Sequence, residues 1–245
     1  MALPILFKPN KKYSLVRVGR DFDGGYLVGK DTILNSDTLV SFGINDDWSF
    51  ERDFKNINSE TKVICYDDKP ILKYLFKKLI IDTIFLFSHL KVNKIFVLTK
   101  KIIYFLKDKK KLKFIKKKIA YGDLKEIVKD IESNFIFLKI DIEGFEYRIL
   151  EDILLYQKKF TGIIIEFHDI DYHKDLIKNF INKLNLSLVH IHPNNNSLID
   201  SNNDPTCVEI TFEKKPIERE EELNFPNELD MRNNPKKKDV LLNFV

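Results

Sequence analysis

An apolar run, Phe137-Leu138-Lys139-Ile140, stops abruptly at Asp141 and passes through Ile142-Glu143-Gly144 into Phe145-Glu146, where helical spacing begins. A short apolar stretch closed by acids and a glycine reads as a buried strand turning into a helix. In an open α/β sheet that junction lies at the carboxyl end of a strand, the edge where ligands bind. The alternative is an ordinary strand–turn–helix that binds nothing.

The same alternation runs along most of the chain. Leu15 to Val18 and Tyr26 to Val28 read as short strands around the turn Asp21-Phe22-Asp23-Gly24-Gly25. Leu39 to Phe42 is a buried strand ending at Gly43, and Ser49 to Ile57 has helical spacing. Lys62 to Tyr66 is a strand ending in Asp67-Asp68. Residues 70–107 repeat Leu72, Leu75, Phe76, Leu79 and Ile80 at helical spacings, with a break expected near Val92–Asn93. Lys113 to Ala120 reads as a strand leading to Gly122-Asp123, with a helix to about Ile131. Phe135 to Asp141 and Gly162 to Phe167 are strands, the second rich in β-branched residues. Helices are expected over Glu146 to Tyr156 and Lys174 to Leu184. Leu186 to Ile191 and Cys207 to Phe212 close the order as a strand pair around the loop Pro193 to Pro205. Alternation of this kind predicts a doubly wound, mostly parallel sheet covered on both faces, with an antiparallel edge strand. No repeat or linker divides the chain, so one domain over 1–245 is expected, with a helical insertion at about 69–112 and an irregular tail at about 216–245.

Charge is unevenly spread. The net charge is +4, yet Lys69 to Lys118 holds sixteen lysines against two aspartates, leaving the remainder at about −10. Such a block points to an anionic partner. Its apolar interior, Leu79 to Phe87, is too short to span a bilayer. It lacks a nucleic-acid motif and an ordered stacking platform, so nucleic acid is not expected as a partner. The readings left are helices packed on a core with a solvated lysine face, a membrane-surface contact, or a homodimer face. Cys65 and Cys207 form no paired motif and read as buried thiols of a reducing compartment. The start of the sequence lacks the pattern of a signal peptide, so a cytoplasmic protein is expected.

The segment Lys139 to Glu146 resembles the K-x-D-x-E-G-x-E signature of the FkbM-type, class I S-adenosylmethionine-dependent methyltransferases. Arg17-Val18-Gly19-Arg20-Asp21-Phe22-Asp23-Gly24-Gly25-Tyr26 looks like the R-x-G-x-x-x-D-G-G-Y segment of a related subgroup. The resemblance covers most of the chain and implies a Rossmann-related sheet of about seven strands. It implies that Gly24, Gly25 and Tyr26 lie against a ligand, with Arg17 and Asp23 on the acceptor side; a plain hairpin turn is the alternative. Ser41 to Trp48 falls at the cofactor loop of such enzymes. Gly43 and Asn45 are placed there, although Asn45 and Asp46 stand where a second glycine is common. Asp67 then falls where an acid accepts both ribose hydroxyls, with Asp68 as substitute. Asp123 falls where the family reaches the adenine, or else caps the next helix.

Asp141, Glu166 and His168 sit at the ends of two successive expected strands. They offer either a general base or a divalent-cation site for Mg, Mn or Fe. Glu143 and Glu146 have the alternative role of acids at a helix start. His190 and His192 alternate on one strand before Asn194, and this group can hold sugar hydroxyls or be a solvated strand end. The resemblance thus implies an S-adenosylmethionine-dependent O-methyltransferase acting on a sugar hydroxyl, nucleotide-linked or within a surface polysaccharide such as a capsule. The competing class is a peripheral membrane or nucleic-acid binder that uses the basic block without catalysis. A dinucleotide oxidoreductase would need a G-x-G-x-x-G, which this sequence lacks.

Overall fold

A computed structural model describes residues 3–84, 92–200 and 204–245. Near the start, β1 (Lys12–Tyr13) is followed by the hairpin β2 (Val16–Gly19) and β3 (Gly25–Val28), then the short helix α1 (Lys30–Leu34). The alternation follows: β4 (Thr38–Phe42), α2 (Ser49–Ile57), β5 (Lys62–Asp67), α3 (Ile71–Ile84), α4 (Val92–Asp108), β6 (Leu112–Lys116), α5 (Asp123–Asp130), β7 (Ile136–Ile140), α6 (Leu150–Tyr156), β8 (Phe160–Phe167), α7 (Ile170–Lys183), β9 (Ser187–Pro193), β10 (Val208–Glu213) and β11 (Glu218–Arg219).

The central sheet has seven strands in the order β6-β5-β4-β7-β8-β10-β9. Strands β4 through β8 are parallel, and β10 runs antiparallel to both β8 and β9. The expected doubly wound sheet is therefore present, with one correction. The antiparallel strand is not at the edge: β10 sits one place in, and β9 is the edge strand. The α7 crossover returns β9 parallel to β8, and the chain then turns back into the slot between them, where both flanks of β10 find partners.

Side chains alternate between two cores. In β7, Ile136, Leu138 and Ile140 join the core with α5, α6 and α7, whereas Phe137 joins the one with α2, α3, α4 and the β2–β3 hairpin. Both faces are covered, which explains why the strand sequences read as continuous apolar runs. Lys139 is the exception, a charge pointing into the second face.

Val92 and Asn93, where the sequence suggests a break, are the first residues of α4; residues 85–91 lie outside the described residues. The strand expected to Ala120 ends at Lys116. No helix among the described residues is long and apolar enough to cross a membrane. The final segment is irregular but fastened: β11 pairs with β1, Leu3 bridges to Phe244, and Asn233 donates 2.6 Å to the buried Glu209.

Candidate functional site

The loops leaving the carboxyl ends of β4, β5, β6, β7 and β8 enclose a cleft of about 430 Å³. This is where an open parallel sheet accepts ligands, because the loops diverge there. Gly43 makes the bend at the end of β4. Its φ is +73°, and a Cβ at this position would lie 1.6 Å from the Asp141 carbonyl oxygen. Only glycine fits. Asp67, at the end of β5, holds the bend in place: its Oδ2 accepts the N–H groups of Ile44 (3.0 Å) and Asn45 (2.7 Å), and its Oδ1 accepts that of Lys69 (2.8 Å).

Beneath the bend runs a buried polar chain. Ser41 Oγ donates to Glu51 Oε1 (2.5 Å), and Lys139 Nζ lies 3.7 Å from the same oxygen while donating to the Gly43 carbonyl (3.2 Å). The ammonium also stands 5.4 Å from the centre of the Tyr26 ring. Burial works against the charge on Lys139, but Glu51, Asp141, Glu166 and Asp47 outweigh it and raise its pKa.

At the ends of β7 and β8 the acids crowd together. Burial and the Glu166 charge push Asp141 up to about 8, against the pull of Lys139 and His168. Glu166 Oε1 accepts from Asn194 Nδ2 (2.8 Å) and Cys207 Sγ (3.2 Å), and Tyr26 Oη approaches Oε2 at 3.4 Å. His168 is held by Glu146, whose Oε1 meets both the His168 N–H (2.8 Å) and Nδ1 (2.9 Å). Its Nε2 faces Glu143 at 3.5 Å and Glu166 at 3.7 Å. Burial opposes an imidazolium here, but the Glu146 hydrogen bond and the charges of Glu146, Glu166 and Asp141 prevail and push His168 up to about 9.

The sequence-based trio is thus brought to one edge, but as two overlapping groups. His168 clusters with Asp141 and Glu143 on one side and with Glu166 and Cys207 on the other, ligand atoms in each set lying within 4.8 Å of one another. Glu146 is more than a helix-start acid: it is fully buried and joins the Gly144 N–H (2.9 Å) to His168.

The remaining candidates divide. Asp23, Gly24, Tyr26, Asn45 and Asn194 line the cleft. Gly25 does not; a Cβ there would meet the Arg20 carbonyl oxygen at 2.1 Å, so its role is hairpin closure. Arg17 braces the same turn, donating to the Phe22 carbonyl at 2.6 Å, and is not part of the cleft lining. Asp123 is not among the residues that line the cleft. It is the first residue of α5, and its carboxylate folds back onto the Ala120 N–H (2.6 Å) and Lys117 (2.8 Å). His190 and His192 are not among the residues that line the cleft either. They lie on edge strand β9 under the final segment, buried and facing Asp230 at 2.8 and 3.6 Å.

Glu51 has no part in the sequence reading, Lys139 and Arg20 enter it only as motif residues, and Glu146 only as a helix-start acid. A lysine inside an apolar strand was the available signal for Lys139. The others needed the fold, since their partners are remote in sequence. Arg20 Nε stands 2.9 Å from Asp47 Oδ2, yet that buried oxygen makes no hydrogen bond. An arginine beside an under-satisfied carboxylate matches an amino-acid zwitterion, the arginine taking its carboxylate and Asp47 its ammonium. Asp67 and Asp68 offer acceptors for a ribose, and Ile119 and Phe145 offer apolar surface for a base. The donor set therefore fits S-adenosylmethionine.

The methyltransferase FkbM domain family matches residues 35–190. No curated protein sequence matches the chain. Among solved structures, the METTL16 methyltransferase domain is similar at 10% identity over 76% of this chain and 64% of that one, with a TM-score of 0.46. The chain thus spans slightly less than two thirds of that relative. The Methanococcus jannaschii fibrillarin pre-rRNA processing protein is similar at 11% identity, over 74% and 68%, with a TM-score of 0.41. The precorrin-6y C5,15-methyltransferase from Geobacter metallireducens is similar at 9% identity, over 76% and 85%, with a TM-score of 0.41.

Proposed function

The chain belongs to the family of methyltransferase FkbM domains, and on that premise we propose that it is an S-adenosylmethionine-dependent O-methyltransferase whose acceptor is a sugar hydroxyl. The observation that carries the reading is the cleft itself, where a fixed glycine bend adjoins a crowded acid–imidazole cluster. Arg20 and Asp47 would hold the amino-acid end of the donor, Asp67 the ribose, and Ile119 and Phe145 the adenine. When bound, the donor supplies an activated methyl group on a cationic sulfur.

The acceptor side is formed by Asp23, Asn194, Asn196 and Ser197, which line the same cleft near Glu166. Amide, hydroxyl and carboxylate groups suit a polyhydroxylated molecule, a nucleotide-linked sugar or a unit of a surface polysaccharide. A sugar hydroxyl is a weak nucleophile near neutral pH, so it needs a base or a cation beside it. With His168 pushed up to about 9, a free base is scarce at pH 7, and the same proton must leave before the ring can hold a cation. The surrounding carboxylates repel one another unless a cation joins them. We therefore favour His168 Nε2, Asp141 and Glu166 as ligands of a divalent cation, Mg, Mn or Fe, that makes the acceptor hydroxyl more acidic. Glu143 and Cys207 stand beside them as further donors.

Transfer of labelled methyl from the donor to a panel of nucleotide sugars tests the reading. Chelator should abolish transfer and added Mg, Mn or Fe should restore it, and His168→Ala should lose about 100-fold or more. Chelator-insensitive transfer that rises with pH would make His168 a base instead. Normal turnover by both His168→Ala and Glu166→Ala would contradict both roles.

A further inference from the structure

We propose that the outer face of α3 and α4 is a docking surface for an anionic lipid bilayer. The two helices pack inward through Leu75 on one and Leu98, Ile102 and Phe105 on the other, all buried. An ordinary surface helix would then turn polar residues outward. These do not. On α3 the outward row reads Lys73, Phe76, Lys77, Ile80, with Phe76 44% and Ile80 59% exposed. On α4 it reads Phe96, Lys100, Ile103, Lys107, with Phe96 69% and Ile103 59% exposed. Bulky apolar groups alternate with lysines at helical spacing on both.

The chemistry of the partner follows from what this face contains. Between Lys69 and Lys118 the acids are Asp82 and Asp108 against sixteen lysines. Asp108 is turned inward, buried and accepting the Trp48 indole N–H at 2.8 Å. A second copy of the chain would bring the same positive charge against itself, and interface cores are poor in charge. Single-stranded nucleic acid would engage the lysines and stack on Phe76 and Phe96, but it would leave Ile80 and Ile103 against water. A bilayer with anionic headgroups accepts both components. Lysine stems lie along the apolar boundary with their ammonium groups among the phosphates, and Phe and Ile enter the acyl edge.

The surface is tied to the cleft. Lys101 Nζ binds the Asp46 carboxylate (3.2 Å) and carbonyl (2.9 Å), and Lys78 Nζ approaches that carboxylate at 3.6 Å. Asp46 lines the cleft, so docking would hold its mouth beside the lipid surface. None of the eight outward residues lines that cleft, and the docking proposal stands apart from the reaction proposed above.

Vesicle sedimentation of the full chain tests it, using phosphatidylcholine alone and with about one-third phosphatidylglycerol. Two variants accompany it, each checked for native circular dichroism: Phe76→Ser/Ile80→Ser/Phe96→Ser/Ile103→Ser, and Lys73→Glu/Lys77→Glu/Lys100→Glu/Lys107→Glu. Their sites are exposed, so both should fold. The native chain should bind the anionic vesicles at least about tenfold better than the neutral ones, and each variant should lose about tenfold or more. Part of the native binding should survive about 0.5 M salt, where charges are screened beyond about 4 Å. No preference for anionic vesicles would overturn the proposal. So would full binding by the serine variant, or a dimer in sedimentation equilibrium that the serine variant dissociates.

Discussion

Gly43 and Asp141 are packed so closely that the backbone oxygen of one occupies the space a side chain on the other would need. The end of β4 and the end of β7 are thereby locked in register, and the bend of the cleft is fixed by the strand that carries the acids. Gly43→Ala should cost about 1–3 kcal/mol through the clash and the left-handed backbone. Denaturant unfolding reads the stability loss, and calorimetry should show weakened binding of S-adenosylhomocysteine in the part that remains folded.

Asp67 has a double role on this account, holding the bend and offering an acceptor to the ribose. Three backbone N–H groups already use its oxygens. Asp67→Ala should therefore lower cofactor affinity at least about tenfold. Asp68→Ala should have the smaller effect. The reverse ranking, read by the same titration, would transfer the ribose role to Asp68.

Lys139 and Glu51 form a pair that is almost wholly buried, at 4% and 0% exposure. Lys139→Met leaves Glu51 charged and without its cation, which should destabilise the protein by about 3–5 kcal/mol. Lys139→Met/Glu51→Gln removes both charges and should recover most of that loss. A double variant as unstable as the single one would show that Lys139 answers mainly to Asp141 and Glu166.

Much of the architecture was legible because both faces of the sheet are buried. β4, β5, β7 and β8 appear as short apolar runs, each ended by a glycine or acid, and the alternation with helices leaves few topologies open. The place of β10 was not legible, since strand order depends on pairing between distant segments and not on local pattern. The candidate site divides on similar lines. Gly43, Asp67, Asp141, Glu166 and His168 follow strands whose ends can be read from hydrophobicity, and the cleft contains them. His190 and His192 also sit on a readable strand, but nothing local announces that residues forty positions later fold over them. Asp123 opens α5 without capping it, since Gly122 holds the cap position and the Asp123 carboxylate turns back to the Ala120 N–H.

The fastening of the final segment to β9 should depend on pH. Burial disfavours a charged His192, yet nearby Asp230 and Glu209 outweigh it and raise its pKa. Burial would push Asp230 up, but His190 and His192 hold it well below the usual carboxylate range. A raised His192 contributes stability fully below about 6.5 and loses it as pH climbs through the raised value. A depressed Asp230 contributes above about 3.9 and loses it as pH falls. The contact should be firmest between about pH 4 and 6.5. After correction for intrinsic rates, amide exchange in residues 226–240 should be better protected at about pH 5.5 than at about 8.5. Equal protection would contradict the assignment, and Asp230→Asn should remove the difference.

The central claim is that the cleft beside the Gly43 bend holds the methyl donor. Isothermal titration of the folded protein with S-adenosylhomocysteine tests it most directly. The account predicts one site per chain, weakened about tenfold or more by Asp67→Ala and by Arg20→Ala, whose guanidinium is proposed to meet the amino-acid carboxylate. A folded sample that binds no S-adenosylhomocysteine, or that binds it undiminished in both variants, would contradict it.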